Sequence, residues 1–126
     1  MRKRVKVRII NDGVKGFFDR ARGHARKLDK NEELAPELTI SFESATDMIR
    51  VLSPQRLRLL HVARMRPVPV SELANGLKRD TRAVTRDIEL LEQFGLIRSR
   101  YEVNPGHGKR RIVEPRAVKY QLVATV

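Results

Sequence analysis

Cysteine is absent from the 126 residues. Disulfides, thiolate metal sites and thiol nucleophiles are therefore excluded, and the redox compartment is left unreadable. Long apolar runs are missing as well, and nothing approaches the roughly 20 residues that a bilayer-spanning helix needs. The opening MRKRVKVRII is basic and then apolar, but charges interrupt it, so it lacks the continuous core of a secretory signal. A cytoplasmic location without membrane contact is the expectation. Aromatic residues are few, two Tyr and four Phe. That is a thin supply for stacking single-stranded bases, and no KH or RRM signature accompanies it, so a monomeric RNA-associated protein is disfavoured.

Catalytic chemistry is equally hard to find. His24, His61 and His107 are far apart and show no metal-binding spacing. The segment Gly106-His107-Gly108-Lys109 lacks the spacing of a phosphate loop and precedes a strand pattern rather than a helix. Asp80, Asp87 and Glu89 lie among arginines on one helix, not as a convergent carboxylate pair, and no G-x-S-x-G element occurs. No catalytic residue, metal site or cofactor is expected, and the chain does not read as an enzyme.

Positive charge is what the sequence has in excess. There are 27 Lys and Arg against 15 Asp and Glu, giving a net charge of +12 and a pI near 11.0. Residues 1–30 carry eleven cations against three anions, residues 31–53 one against five, and residues 54–126 fifteen against seven. Such an imbalance favours a polyanionic partner through release of condensed counterions, and nucleic acid is the leading candidate. The bland alternative is an Arg-rich surface typical of a high-GC, thermophilic or halophilic source.

Taken in order, Val5 to Ile10 alternates apolar and basic residues, the period of a half-buried strand, and Asn11-Asp12-Gly13 signals a turn. Val14, Phe17, Phe18, Ala21, Ala25 and Leu28 then recur at helical spacing, although Gly16 and Gly23 each cost about 1 kcal/mol against Ala. Residues 31–36 read as a linker and 38–42 as a second short strand. This strand–helix–strand is too short to bury a core alone and must pack on the rest of the chain or on a second copy. Ser44 to Leu52 reads as a short helix with Met48, Ile49 and Leu52 as its apolar positions. Ser53-Pro54, an N-cap followed by proline at the first helical position, opens the next helix. It runs to about Met65 on Leu57, Leu59, Leu60, Val62 and Ala63, and Arg66-Pro67 stops it. After the extended piece 68–70, Ser71 is expected to cap a helix that turns Leu73, Ala74 and Leu77 inward.

Lys78 to Leu96 is the most informative stretch. Asp80 or Thr81 can cap its first turn, and Val84, Ile88 and Leu91 share one face. Gly95 is placed to end the helix in a left-handed conformation, with Leu96 folding back on Leu91. Outside that face stand Arg79, Thr81, Arg82, Thr85 and Arg86, with Asp87 and Glu89 intruding on the basic side. Residues 96–101 read as a strand, 104–111 as a loop holding three consecutive cations, and 112–115 as the returning strand. Val118, Tyr120 and Leu122 alternate in a last strand.

The phrases SPQRLRLLHVA, VSELANGLKRDTRAVTRDIELLEQFGLI and GKRRIV resemble winged helix-turn-helix regulators of the MarR and ArsR type over residues 53–115. Residues 38–115 resemble more closely a family of short archaeal and bacterial DNA-binding regulators first described from haloarchaea. The resemblance implies an α+β fold: a basic β-α-β extension over 1–43, for dimerisation or partner contact, and a winged helix-turn-helix domain over 44–126 that includes the C-terminal strand. It implies a recognition-helix role for Arg79, Thr81, Arg82, Thr85 and Arg86, and a wing role for His107, Lys109, Arg110 and Arg111. Ser71 and Lys78 are expected at phosphates. The implied function is a sequence-specific double-stranded DNA-binding transcriptional regulator, a repressor acting as a homodimer on a palindromic operator. The alternative is an antitoxin that binds a cognate toxin and autoregulates its operon.

Overall fold

In the computed structural model, serine and aspartate side chains start three of the helices, and a glycine ends the longest. The structure describes residues 6–11, 21–23 and 37–124. Helix α1 (Ala45–Val51) begins where the Ser44 hydroxyl accepts from the Asp47 N–H at 3.1 Å, and α2 (Pro54–Ala63) where Ser53 accepts from Arg56 N–H. Helix α3 (Val70–Leu77) is different. Its N-cap is Pro69, with no side-chain cap, so the expected Ser71 cap is not formed and Ser71 lies inside the first turn. The extended Val68–Pro69 piece carries the chain directly into the helix and leaves Ser71 two positions past the N-cap.

Helix α4 (Thr81–Gln93) is capped by Asp80, which accepts from Arg82 N–H at 2.7 Å. At its other end Gly95 takes φ +74°, Leu96 N–H bonds the Leu91 carbonyl at 3.0 Å and Gly95 N–H the Glu92 carbonyl at 2.9 Å. Those two bonds satisfy carbonyls that the last turn would otherwise leave open, and Leu96 and Leu91 are both fully buried.

Two three-stranded sheets flank these helices. Strands β1 (Lys6–Ile10), β2 (Glu37–Ser41) and β6 (Lys119–Leu122) form a parallel sheet in the order β2-β1-β6. Strands β3 (Val68–Pro69), β4 (Ile97–Val103) and β5 (Lys109–Pro115) form an antiparallel sheet in the order β3-β5-β4. Residues 21–23 are helical, between β1 and β2. The rest of the helix expected over 14–28 and the linker over 31–36 lie outside the described residues. The last strand was expected to belong with the winged unit. It pairs in parallel with β1, with Val7 level with Tyr120 and Ile9 with Leu122. Residues 45–115 thus form a winged helix-turn-helix unit held between strands from the two ends of the chain.

The core is continuous. Met48, Leu59, Leu73, Val84, Ile88, Leu91, Ile97 and Val113 are all essentially inaccessible and belong to one cluster that reaches Ile9 in the parallel sheet. Phe42, just after β2, stacks at 5.1 Å on Phe94 at the end of α4 and ties the sheet to the helix end. Ile49 was expected among the apolar contacts of α1 but is 67% exposed. In this two-turn helix Met48 points inward, Val51 is half-buried against the core and Leu52 is buried just past the helix end.

Candidate nucleic-acid interface

Helices α3 and α4 meet at a turn whose pivot is Lys78, at φ 54° in the left-handed region. Lys78 N–H bonds the Asn75 carbonyl and Arg79 N–H the Ala74 carbonyl, both at 3.1 Å, so the end of α3 is closed without a glycine. A left-handed lysine costs on the order of 1 kcal/mol, and its side chain is exposed at the turn.

Behind α4 lies a charge cluster that determines which arginines remain available. Asp87 is the one charged residue among the described residues that is buried, at 7% exposure. Its Oδ1 accepts from Arg56 Nε at 3.0 Å and its Oδ2 from Arg79 Nη1 at 2.8 Å. Arg56 also donates from Nη1 to the carbonyls of Arg50 and Val51 at the end of α1. One carboxylate thereby binds α2 and the α3–α4 turn to α4, and Arg56 extends the network to α1. Arg79, expected on the reading surface, is paired with Asp87, and its side chain is 19% exposed.

The other residues expected to read bases divide. Thr81, Arg82 and Arg86 are exposed, and no ion pair holds Arg82 or Arg86 among the described residues. They stand one helical turn apart on one face. Thr85 is half-buried and its hydroxyl donates to the Thr81 carbonyl at 2.8 Å, so that proton is committed within the helix.

The hairpin of β4 and β5 forms the wing. Its tip closes with Asn104 N–H on the Gly108 carbonyl at 2.6 Å and His107 N–H on the Asn104 carbonyl at 2.8 Å. Gly106 and Gly108 both take positive φ there, which fits the expected tip. Lys109, Arg110 and Arg111, however, are strand residues rather than loop residues, and strand alternation sends them to different faces. His107 and Lys109 stand exposed at the tip. Arg110 pairs with Glu102, through Nη2 at 2.6 Å and Nε at 3.1 Å. Arg111 turns back to the helix, donating to Glu92 at 2.8 Å and to Ser99 Oγ at 2.9 Å, while Ser99 itself bonds Glu92. Arg111 is therefore a fastener between the wing and α4, not a free wing cation.

One face of the hairpin carries an ion ladder that the sequence reading did not anticipate. Arg98 and Arg100 both donate to Glu114, at 3.1 and 2.5 Å, and Arg100 continues to Glu102 at 2.7 Å. The register Arg98↔Glu114 and Glu102↔Arg110 puts opposite charges directly across from one another. The hydrogen bond from Arg110, then that from Arg100, holds the Glu102 carboxyl below its ordinary range. The bonds to Glu102 and Glu114 likewise raise Arg100. At the base of the wing, the Tyr120 hydroxyl donates to the Leu96 carbonyl at 2.6 Å and accepts from Arg116 N–H at 3.1 Å. Burial pushes the Tyr120 phenol above its usual value.

Among the described residues, no His, Asp or Glu group is arranged to hold a metal ion, and no helix is long and apolar enough to cross a membrane.

Comparison with solved structures finds similarity to a possible transcriptional regulator from Methanosarcina mazei Go1, at 17% identity and a TM-score of 0.49 over 56% of this chain and 62% of that one. The chain thus spans less than two thirds of that protein. HlyU from Vibrio cholerae N16961 is similar at 19% identity and TM-score 0.46, over 56% and 73% of the two chains. A transcriptional regulator homologue from Pyrococcus horikoshii OT3 is similar at 22% and 0.49, over 59% and 76%. No curated protein gives a significant match. A family model described as HVO_A0114 matches residues 51–119, from the end of α1 through the wing to the start of β6. The chain belongs to the HVO_A0114 family.

Proposed function

We propose that this protein is a sequence-specific double-stranded DNA-binding transcriptional regulator, a repressor of MarR and ArsR architecture, acting as a homodimer on a palindromic operator. The observation that carries this reading is the sorting of arginines around α4. Arg79 is tied to Asp87, whereas Arg82 and Arg86 stand outward one turn apart with no ion pair among the described residues. Two guanidinium forks at that spacing suit guanine O6 and N7 in the major groove, with Thr81 beside them. Lys78 at the turn and the Ser71 N–H in the uncapped first turn of α3 suit phosphates. His107 and Lys109 at the wing tip suit the adjacent backbone or minor groove. The net charge of +12 supplies the sequence-independent attraction. One winged unit reads few base pairs, which is the reason for a twofold partner and a palindromic site.

Selection of genomic fragments with the purified protein, followed by affinity measurements across salt concentrations, tests this. Arg82→Ala and Arg86→Ala should each cost about 1–3 kcal/mol on the selected site and relax its base preference. Lys109→Ala should weaken all duplexes alike and reduce the salt slope by about 1. Lys78→Gly should stabilise the fold by about 1 kcal/mol by relieving the left-handed lysine, while lowering affinity for every sequence. Equal binding to all duplexes would refute the regulator reading.

A further inference from the structure

A cleft of about 420 Å³ opens where α2 passes beneath the edge of the parallel sheet. Its floor is Ile9, Leu57 and Leu60. Val118, Tyr120 and Leu122, two residues apart, line the β6 side. Val118 and Leu122 are 38% and 41% exposed, so apolar surface lies open at the mouth. The rest of the rim is basic. Arg64, the C-cap of α2, donates from Nη1 to the Val118 carbonyl at 3.2 Å and from Nε to His61 Nδ1 at 3.4 Å. Its Nη2 group makes no hydrogen bond among the described residues, and Lys119 stands beside it on the rim. No acidic side chain is among the described residues that line the cleft.

We propose that this cleft binds a small amphipathic carboxylate, with its apolar body against Ile9, Leu60 and Leu122 and its head on Arg64 and Lys119. The volume falls within the range of small-molecule sites, on the order of 300–1,000 Å³. The Arg64 position, fixed by the Val118 and His61 contacts, leaves its outer edge oriented for a charge-assisted bond to a carboxylate. A second copy of the chain is a poorer occupant. A twofold contact centred here would set the His61, Arg64 and Lys119 rim against its own image, and like charges facing one another oppose association. The proposal does not depend on the nucleic-acid reading.

The test is an amide NMR titration of the full chain with phenylbutanoate, and in parallel with phenylbutylamine, which has the same body and the opposite charge. The acid should give saturable shifts over residues 57–64 and 118–122, and the amine should bind at least about tenfold more weakly. Arg64→Gln should weaken the acid by about tenfold, and Leu122→Trp, which fills the mouth, should abolish its binding. If Arg64→Gln does not fold, the exposed Lys119→Gln must show the loss instead. The proposal is overturned by absence of saturation in the millimolar range, by equal binding of acid and amine, or by shifts confined to other residues. It is also overturned if light scattering shows a dimer that Leu122→Trp dissociates, because the cleft is then a subunit contact.

Discussion

Asp87 and Glu114 each hold two arginines, yet those arginines sit in opposite surroundings. The partners of Asp87 are mostly covered, with the Arg56 and Arg79 side chains 25% and 19% exposed. The partners of Glu114 are open to water, at 68% for Arg98 and 47% for Arg100. Where water is excluded, losing one partner strands the others without solvation, so the cluster behaves as a fixed joint among helices. On the wing, water and salt can replace each contact, so the same residue types adjust the shape of a hairpin without determining whether it folds. The same contrast separates anchoring arginines from available ones.

Breaking the buried side should have the largest effect. Asp87→Ala is expected to destabilise the protein by about 3 kcal/mol, the lower end for a broken buried pair because both arginines keep some solvent contact. Denaturant unfolding measures it, and a loss below about 0.5 kcal/mol would mean the cluster is not a joint. Separating the two classes of arginine comes next. Arg79→Ala should cost about 1–2 kcal/mol of stability, whereas Arg82→Ala should stay within about 0.5 kcal/mol, measured in the same unfolding experiment. Reversing that order would show that the sorting around α4 is wrong.

Much of the winged unit could be read directly from local chemistry. Ser53-Pro54, Asp80 and Gly95 act through neighbours a few residues away, so their roles are visible in sequence. Asp87 was read as an intruder on the basic face, although a signal was present. Val84, Asp87, Ile88 and Leu91 fall at i, i+3, i+4 and i+7, the spacing of a single buried stripe. An acidic residue in such a stripe implies a cation brought from elsewhere, but Arg56 lies on another helix and could not be assigned to it. The wing ladder was hidden for a related reason. Cross-strand pairs depend on register, and the returning strand begins at Lys109, earlier than the turn-forming composition suggests. The partner of the last strand is a long-range fact, and nothing in KYQL indicates that it joins β1.

The smallest effects belong to the wing. Glu114→Gln should lower stability by less than about 1 kcal/mol, and the difference from wild type should shrink as salt is raised. The Glu102 carboxyl is lowered by Arg110 and Arg100, so its contribution is present above its unfolded value and is lost as pH falls through the depressed folded value. The side-chain carboxyl signal of Glu102 should therefore titrate below that of a free glutamate, and Arg110→Ala should move it back towards the ordinary value. Titration of the wild-type carboxyl at the free value would show that the ladder is not formed.

The placement of β1 between β2 and β6 has a consequence for the order of events during synthesis. Every strand of the winged unit finds its partners within residues 68–115, so that part can complete its pairing while the chain is still being made. β1 is translated before the winged unit but gains one of its two neighbours, β6, only after it. Until then one edge of it is open, and its Lys6 and Arg8 positions place charge along a strand that other chains would otherwise extend. Basic residues within β1 thus oppose extension of that edge by other chains, separately from any attraction for a polyanion.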